Sequence, residues 1–318
     1  MYMNKITVLR IKVIAVLFTF SLLNSGCVSL KEIRAFATTA GDVGEKFPGL
    51  ARDLYDSCMS QQRYIVAQKN DFRVDQFADL NDDTNPLMSD GLQICKLYKD
   101  EQDRLIKANG TLVGYMKSMG DLAADDLTNY DKSIEGFGSA LTGAKLLSVN
   151  ESNAVTKLAG VLSHLVTEGY RRKKLRNVIK DTDPDIQIIA EALSRIVAMN
   201  YVQQLENERE AMKNYYRKLA RESVEFNKTL VKNAQGAEGV SNPAPLDDIK
   251  TKYEAKNAAI NLKIAGAKAY SQILINVEKA HRELANHADD LNSQSTLIIA
   301  LSYAKTIQGL AADFRKAF

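Results

Sequence analysis

Leu246, Tyr253, Ile260, Ala267, Leu274, His281 and Ala288 stand seven residues apart. An α-helix turns every 3.6 residues, so this row lies on one face and commits the segment to a long helix packed on another. A second row, Ile249, Tyr270, Val277, Leu284 and Leu291, accompanies it, interrupted by Lys256 and Lys263. The same step recurs in Leu205, Met212, Leu219 and Phe226, and in Tyr98, Leu105, Leu112 and Met119. It begins with Ile33, Ala40, Phe47 and Leu54, interleaved with Phe36, Val43 and Leu50.

Breakers are few, so each carries meaning: the chain has 5 prolines and 17 glycines. Pro48 interrupts the first row and predicts a kink or a break between two helices. Pro86 and Pro184 are placed near helix starts. In "DTDPDIQIIAEALSRI", Asp183 is expected to cap, Pro184 to occupy the first turn and Asp185 to complement the positive helix end. That helix is expected to run to about Asn233, some 75 Å at about 1.5 Å per residue. "NAQGAEGVSNPAP", with Pro243 and Pro245, reads as the clearest loop, and "LNSQSTLIIAL" as a cap and a short final helix. Strand signals are thin. The fold class is therefore all-α: an elongated antiparallel helical bundle with long, coiled-coil-like helices, as one body or two.

The N-terminus has a different character. Lys5, Arg10 and Lys12 come without an acid, then "VIAVLFTFSLL", then the small residues Ser25 and Gly26. Eleven apolar-rich residues make a helix of about 16 Å, roughly half a bilayer core, which fits a secretory signal and not a span. The stretch resembles the signal of bacterial lipoproteins, whose lipobox ends in a small residue, Gly and Cys, here Ser25, Gly26 and Cys27. Asn24 stands where that family usually has Leu, with Leu23 one place earlier. The resemblance implies removal of residues 1–26 and acylation of Cys27, leaving 27–318 as the helical bundle. It also implies delivery to the outer rather than the inner membrane, since Val28 and not Asp follows the cysteine. At about 0.8 kcal/mol per buried methylene, two or three acyl chains tether a protein almost permanently.

Loss of that segment changes the charge balance. The chain has 42 Lys+Arg against 39 Asp+Glu. Without Lys5, Arg10 and Lys12 the two signs are equal, and nothing global points to nucleic acid. The two remaining cysteines, Cys58 and Cys95, both fall on packing faces. In an oxidising compartment a bridge between two antiparallel helices is expected, with two buried thiols as the alternative.

Chemistry-bearing patterns are sparse. Asp79, Asn81, Asp83 and Asn85 alternate as early ligands of a calcium loop do, with Asp90 at the twelfth position. Thr84 replaces the turn glycine, so a solvated turn is expected. Glu278 and His281 form half of a di-iron motif whose second half is missing, and a hydrogen-bonded core histidine is expected instead. No nucleophile, phosphate-cradling or zinc-protease motif occurs. Catalytic residues, metal sites and cofactors are therefore expected to be none.

Residues 133–169 stand apart as a small-residue, apolar hairpin in which Gly136, Ala140 and Ala144, and Ser139 and Gly143, permit close helix approach. "RRKKLR" follows, bringing Arg171, Arg172, Lys173, Lys174 and Arg176 together. These residues are the candidate contact surface for a membrane or a partner, but a hairpin buried on the bundle, with the basic run on a wet face, is the expected arrangement. The leading expectation is a lipid-anchored envelope protein, not an enzyme, that presents helix faces to another envelope protein or to itself. The alternative is a membrane-active protein that resembles, in architecture alone, α-helical pore-forming toxins of the cytolysin A type.

Overall fold

Pro48 does divide the first heptad row. The computed structural model describes residues 30–69, 86–124, 144–167, 174–233 and 244–318. α1 (Lys31–Gly44) and α2 (Phe47–Lys69) are separated by a turn at Glu45 and Lys46. Pro48 stands in the first turn of α2, where a missing N–H has no helical partner to lose. Ile33, Phe36, Val43, Phe47, Leu50 and Leu54 are all buried, as the row requires.

A 3₁₀ turn at Pro86–Met88 leads into α3 (Ser89–Ala124), which returns antiparallel to α2 and α1. Gly91 faces Gln62, and Gly120 faces Ala37 and Thr38. α4 (Val149–Thr167) opens on a reciprocal cap. The Ser148 backbone N–H donates to Glu151 Oε2 at 2.6 Å, and the Glu151 N–H donates to Ser148 Oγ at 3.3 Å. This pairing satisfies two of the donors a helix start leaves open.

α5 (Leu175–Arg195) begins earlier than the sequence predicts. Asp183 and Pro184 lie inside the helix, not at its start. Pro184 is tolerated because it faces solvent, where water can serve the carbonyl it leaves without a donor. Asp183 is held by a side-chain partner described below. A π-helical turn, Ile196–Tyr201, joins α5 to α6 (Val202–Asn233) without a break. The 21, 6 and 32 residues of these segments form one helical path of about 88 Å.

α7 (Ala244–Asn286) comes back along α5 and α6. Ile260, Ala267, Leu274, His281 and Ala288 are buried, which accounts for the row of seven. Lys263, which interrupts the second row, pairs with Asp53 at 2.5 Å. A 3₁₀ turn at Ala288–Asp290 leads to α8 (Gln294–Ala317), capped by Ser293 Oγ accepting from Thr296 N at 3.2 Å. α8 has 24 residues, so the final helix is not short. It lies along α7 and α1, and its C-terminal Phe318 packs near Gly49 and Gly266. No strand occurs among the described residues, and the fold is an all-α bundle.

α1, α2, α5, α6 and α8 run one way, and α3 and α7 the other. α2 runs beside α6 in the same direction, with Ser57 donating to Glu208 at 2.7 Å and Lys218 to the Gln68 carbonyl at 2.9 Å. One end of the molecule therefore holds the starts of α1, α5 and α8 and the finishes of α3 and α7. Beyond Lys69, among the described residues, α6 and α7 continue as a two-helix arm. The row Leu205, Met212, Leu219, Phe226 records this: Met212 is 0 % exposed and Phe226 65 %. Tyr64, Tyr215, Tyr216 and Tyr253 close the arm's base, with ring centroids 5.3–6.5 Å apart.

Candidate functional site

Cys58 and Cys95 are joined. Cys58 of α2 and Cys95 of α3 form a disulfide with Cα atoms 5.7 Å apart, closing a separation of 37 residues. Around it Met59, Ala67 and Met88 are buried, with Tyr55, Val66, Leu92, Tyr98 and Tyr215 against them. The bridge thus pins the antiparallel pair in a small apolar cluster, next to the base of the arm.

The candidate contact surface divides. Gly136, Ala140, Gly143, Arg171, Arg172 and Lys173 lie outside the described residues, and so does Cys27. Ala144 is partly buried and packs on the core. The described half of the hairpin, α4, buries Val155, Leu158, Leu162 and Leu165 in that core, so its apolar face looks inward. Three contacts hold its approach. Glu101, fully buried, accepts from Arg104 and from the Leu146 backbone N–H, and Arg195 pairs with Glu151 at 3.0 Å. Lys174 precedes α5, and Arg176 pairs with Asp289 at 3.4 Å. Lys180 reaches the same carboxylate at 2.7 Å, which holds Asp289 below the usual carboxylate range. The described part of the basic run thus ties the start of α5 to the turn before α8.

The densest polar arrangement surrounds His281. Its Nδ1 lies 2.9 Å from Asp183 Oδ1, and its Nε2 2.7 Å from the Tyr115 hydroxyl. Thr182 Oγ1 lies 2.7 Å from that hydroxyl and 2.7 Å from the Val178 carbonyl. Gln187 Nε2 donates to Asp183 Oδ1 at 2.9 Å and to the Glu278 carbonyl at 3.0 Å. One assignment satisfies the chain: Nδ1–H donates to the carboxylate, and Nε2 accepts from Tyr115. Burial lowers the pKa of His281 and outweighs the pull of Asp183. Burial would raise Asp183, but the donors His281 and Gln187 prevail and its pKa falls. A neutral imidazole still donates through Nδ1–H, so the two shifts agree.

A carboxylate orienting a histidine whose other nitrogen meets a hydroxyl is the skeleton of a nucleophile-base constellation. Here His281 and Tyr115 are both 0 % exposed. Closed to solvent, the arrangement braces α3, α5 and α7 against one another. A second polar seam joins α2, α6 and α7, where the Tyr201 hydroxyl and Lys263 both donate to Asp53 and Gln204 donates to Gln61. Glu208, 7 % exposed, accepts from Ser57, and burial raises its pKa despite that bond.

His281 was legible as a core histidine from its place in the apolar row. Its partners Tyr115, Thr182 and Asp183 carried no such signal, because they come from α3 and α5, far from α7 in the chain. Only Asp183 and Gln187, four apart, form a pair visible along one helix. Among the described residues no three His, Cys, Asp or Glu side chains are grouped to hold a metal. No described helix is long and apolar enough to cross a membrane.

No family model, no curated protein and no solved structure matches this chain.

Proposed function

We propose that this chain is a lipid-anchored protein of the bacterial cell envelope, and that its helical body acts by presenting helix faces to a partner. The observation that carries this reading is the sequence Ser25-Gly26-Cys27 immediately ahead of the folded body. Leu30 is already buried and α1 starts at Lys31, so three residues separate Cys27 from the bundle. Three residues span at most about 11 Å. An acylated Cys27 would thus hold the α1 end of the bundle against the bilayer and direct the α6–α7 arm away from it. The Cys58–Cys95 bridge supports the reading because such bonds persist in oxidising compartments.

The buried His281, Tyr115 and Glu208 side chains are tied into bracing hydrogen bonds and closed to solvent, which favours a scaffold over an enzyme. The test is fractionation of cells producing the parent chain and Cys27→Ser. The parent is expected in membranes in processed form, and the variant is expected to be soluble or unprocessed. Membrane retention of a processed Cys27→Ser protein would contradict the anchor.

A further inference from the structure

From the α6–α7 arm we infer a binding site for an anionic amphiphile, a single acyl or alkyl chain bearing a negative headgroup. The site is a cleft of about 420 Å³ between the two helices. That volume falls within the roughly 300–1,000 Å³ typical of small-molecule sites. Tyr216 and Ala220 of α6 and Leu246, Ile249 and Tyr253 of α7 supply an apolar floor. Lys213, Arg217 and Lys250 complete the lining, and no carboxylate does.

The charges select the sign of the occupant. Within 213–233 and 244–259 there are nine Lys or Arg against five Asp or Glu, whereas the rest of the chain after residue 26 carries 30 against 34. Lys213 and Lys250 have only exposed partners, Glu210 at 3.3 Å and Glu254 at 3.9 Å. Pairs of that kind contribute little and exchange readily. Arg217 bonds Asn214 at 3.3 Å and has no ion pair among the described residues. Its planar fork suits a phosphate or carboxylate. An apolar floor removes an alkyl chain from water, and the cations at its rim neutralise the head.

The position explains why the cleft is open. Closer to the body α2 covers α6, but α2 ends at Lys69, level with Ala211 and Lys218. Past that point no third layer covers the pair among the described residues, and Leu246 and Ile249 are only partly buried. Binding here is independent of how residue 27 is processed.

The test is calorimetric titration of the full chain carrying Cys27→Ser, so that no acyl group of its own competes. The probes are dodecyl phosphate and dodecyltrimethylammonium, each below its micelle concentration. Saturable one-to-one binding of dodecyl phosphate is expected, with inorganic phosphate failing to compete. Arg217→Glu is expected to weaken it about tenfold, the scale of one charge-assisted contact. Ala220→Leu, which fills the floor with a good helix former, is expected to abolish it while leaving the melting temperature unchanged. Equal binding of the cationic probe, absence of saturation, or parent-like affinity in both variants would overturn the assignment.

Discussion

His281 Nδ1 sits 2.9 Å from Asp183 Oδ1 in the interior of the bundle, and both groups have pKa values below their ordinary ones. The consequence for stability has a definite sign. Below the ordinary histidine value of 6.5 the unfolded chain binds a proton that the folded imidazole refuses, so stability falls with pH from there. Below the ordinary aspartate value of 3.8 the depressed Asp183 adds a second loss in the same direction. Thermal melts are expected to shift downward between pH 7.5 and pH 5, and His281→Asn to flatten that part of the profile. At pH 7.5 the same variant should be less stable by about 1–3 kcal/mol, because the buried Tyr115 hydroxyl loses its acceptor at Nε2 and the smaller side chain leaves a gap in the core. A pH-independent melt in the parent would contradict the assignment.

Glu208 runs the other way. Its carboxyl is raised by burial above the ordinary 4.5, so the folded state loses stability as pH rises through its titration. Glu208→Gln keeps an acceptor for Ser57 and removes the buried charge. The variant is expected to melt higher than the parent at pH 7.5 and level with it near pH 4. A lower melting point at pH 7.5 would show that the charge is stabilising.

The disulfide closes a loop of 37 residues between α2 and α3. Chain-entropy arguments give about 4 kcal/mol for such a loop. Reduction, or Cys58→Ala with Cys95→Ala, is expected to lower unfolding free energy by that order in urea titrations. An unchanged midpoint would mean that the bond is absent or redundant.

Close helix contact predicts a contrast between glycines. A Cβ on Gly266 would meet the Cβ of Ala317 at 2.5 Å, and neither can rotate away, so α7 and α8 must part. Gly266→Ala is expected to destabilise by about 1–3 kcal/mol. Gly110 and Gly309 have nothing within 4 Å of that position. Alanine there should instead stabilise by about 0.5–1 kcal/mol, through helix propensity alone.

The helices themselves were readable, because a seven-residue step reports burial along one face without reference to any partner. Ile33 to Leu54 and Ile260 to Ala288 became core for that reason. Their ends were less readable. Pro184 and Asp183 have the composition of a helix start, and only contact with His281 and an exposed face explains their place mid-helix. The cysteine pair was legible as an even count on packing faces. The arm was not: Phe226 continues its row in sequence but is 65 % exposed, with no described helix over it once α2 has ended at Lys69. Tyr115, Glu101 and Asp53 were invisible for a similar reason, since a polar residue acquires its role from segments far away in the chain.

The most direct test of the central claim is mass spectrometry of the N-terminal peptide from protein extracted from membranes of the native host. Lipid anchoring predicts a peptide that begins at Cys27 and carries the added mass of acyl chains. A peptide that retains Met1, or one with Cys27 unmodified in soluble protein, would contradict it.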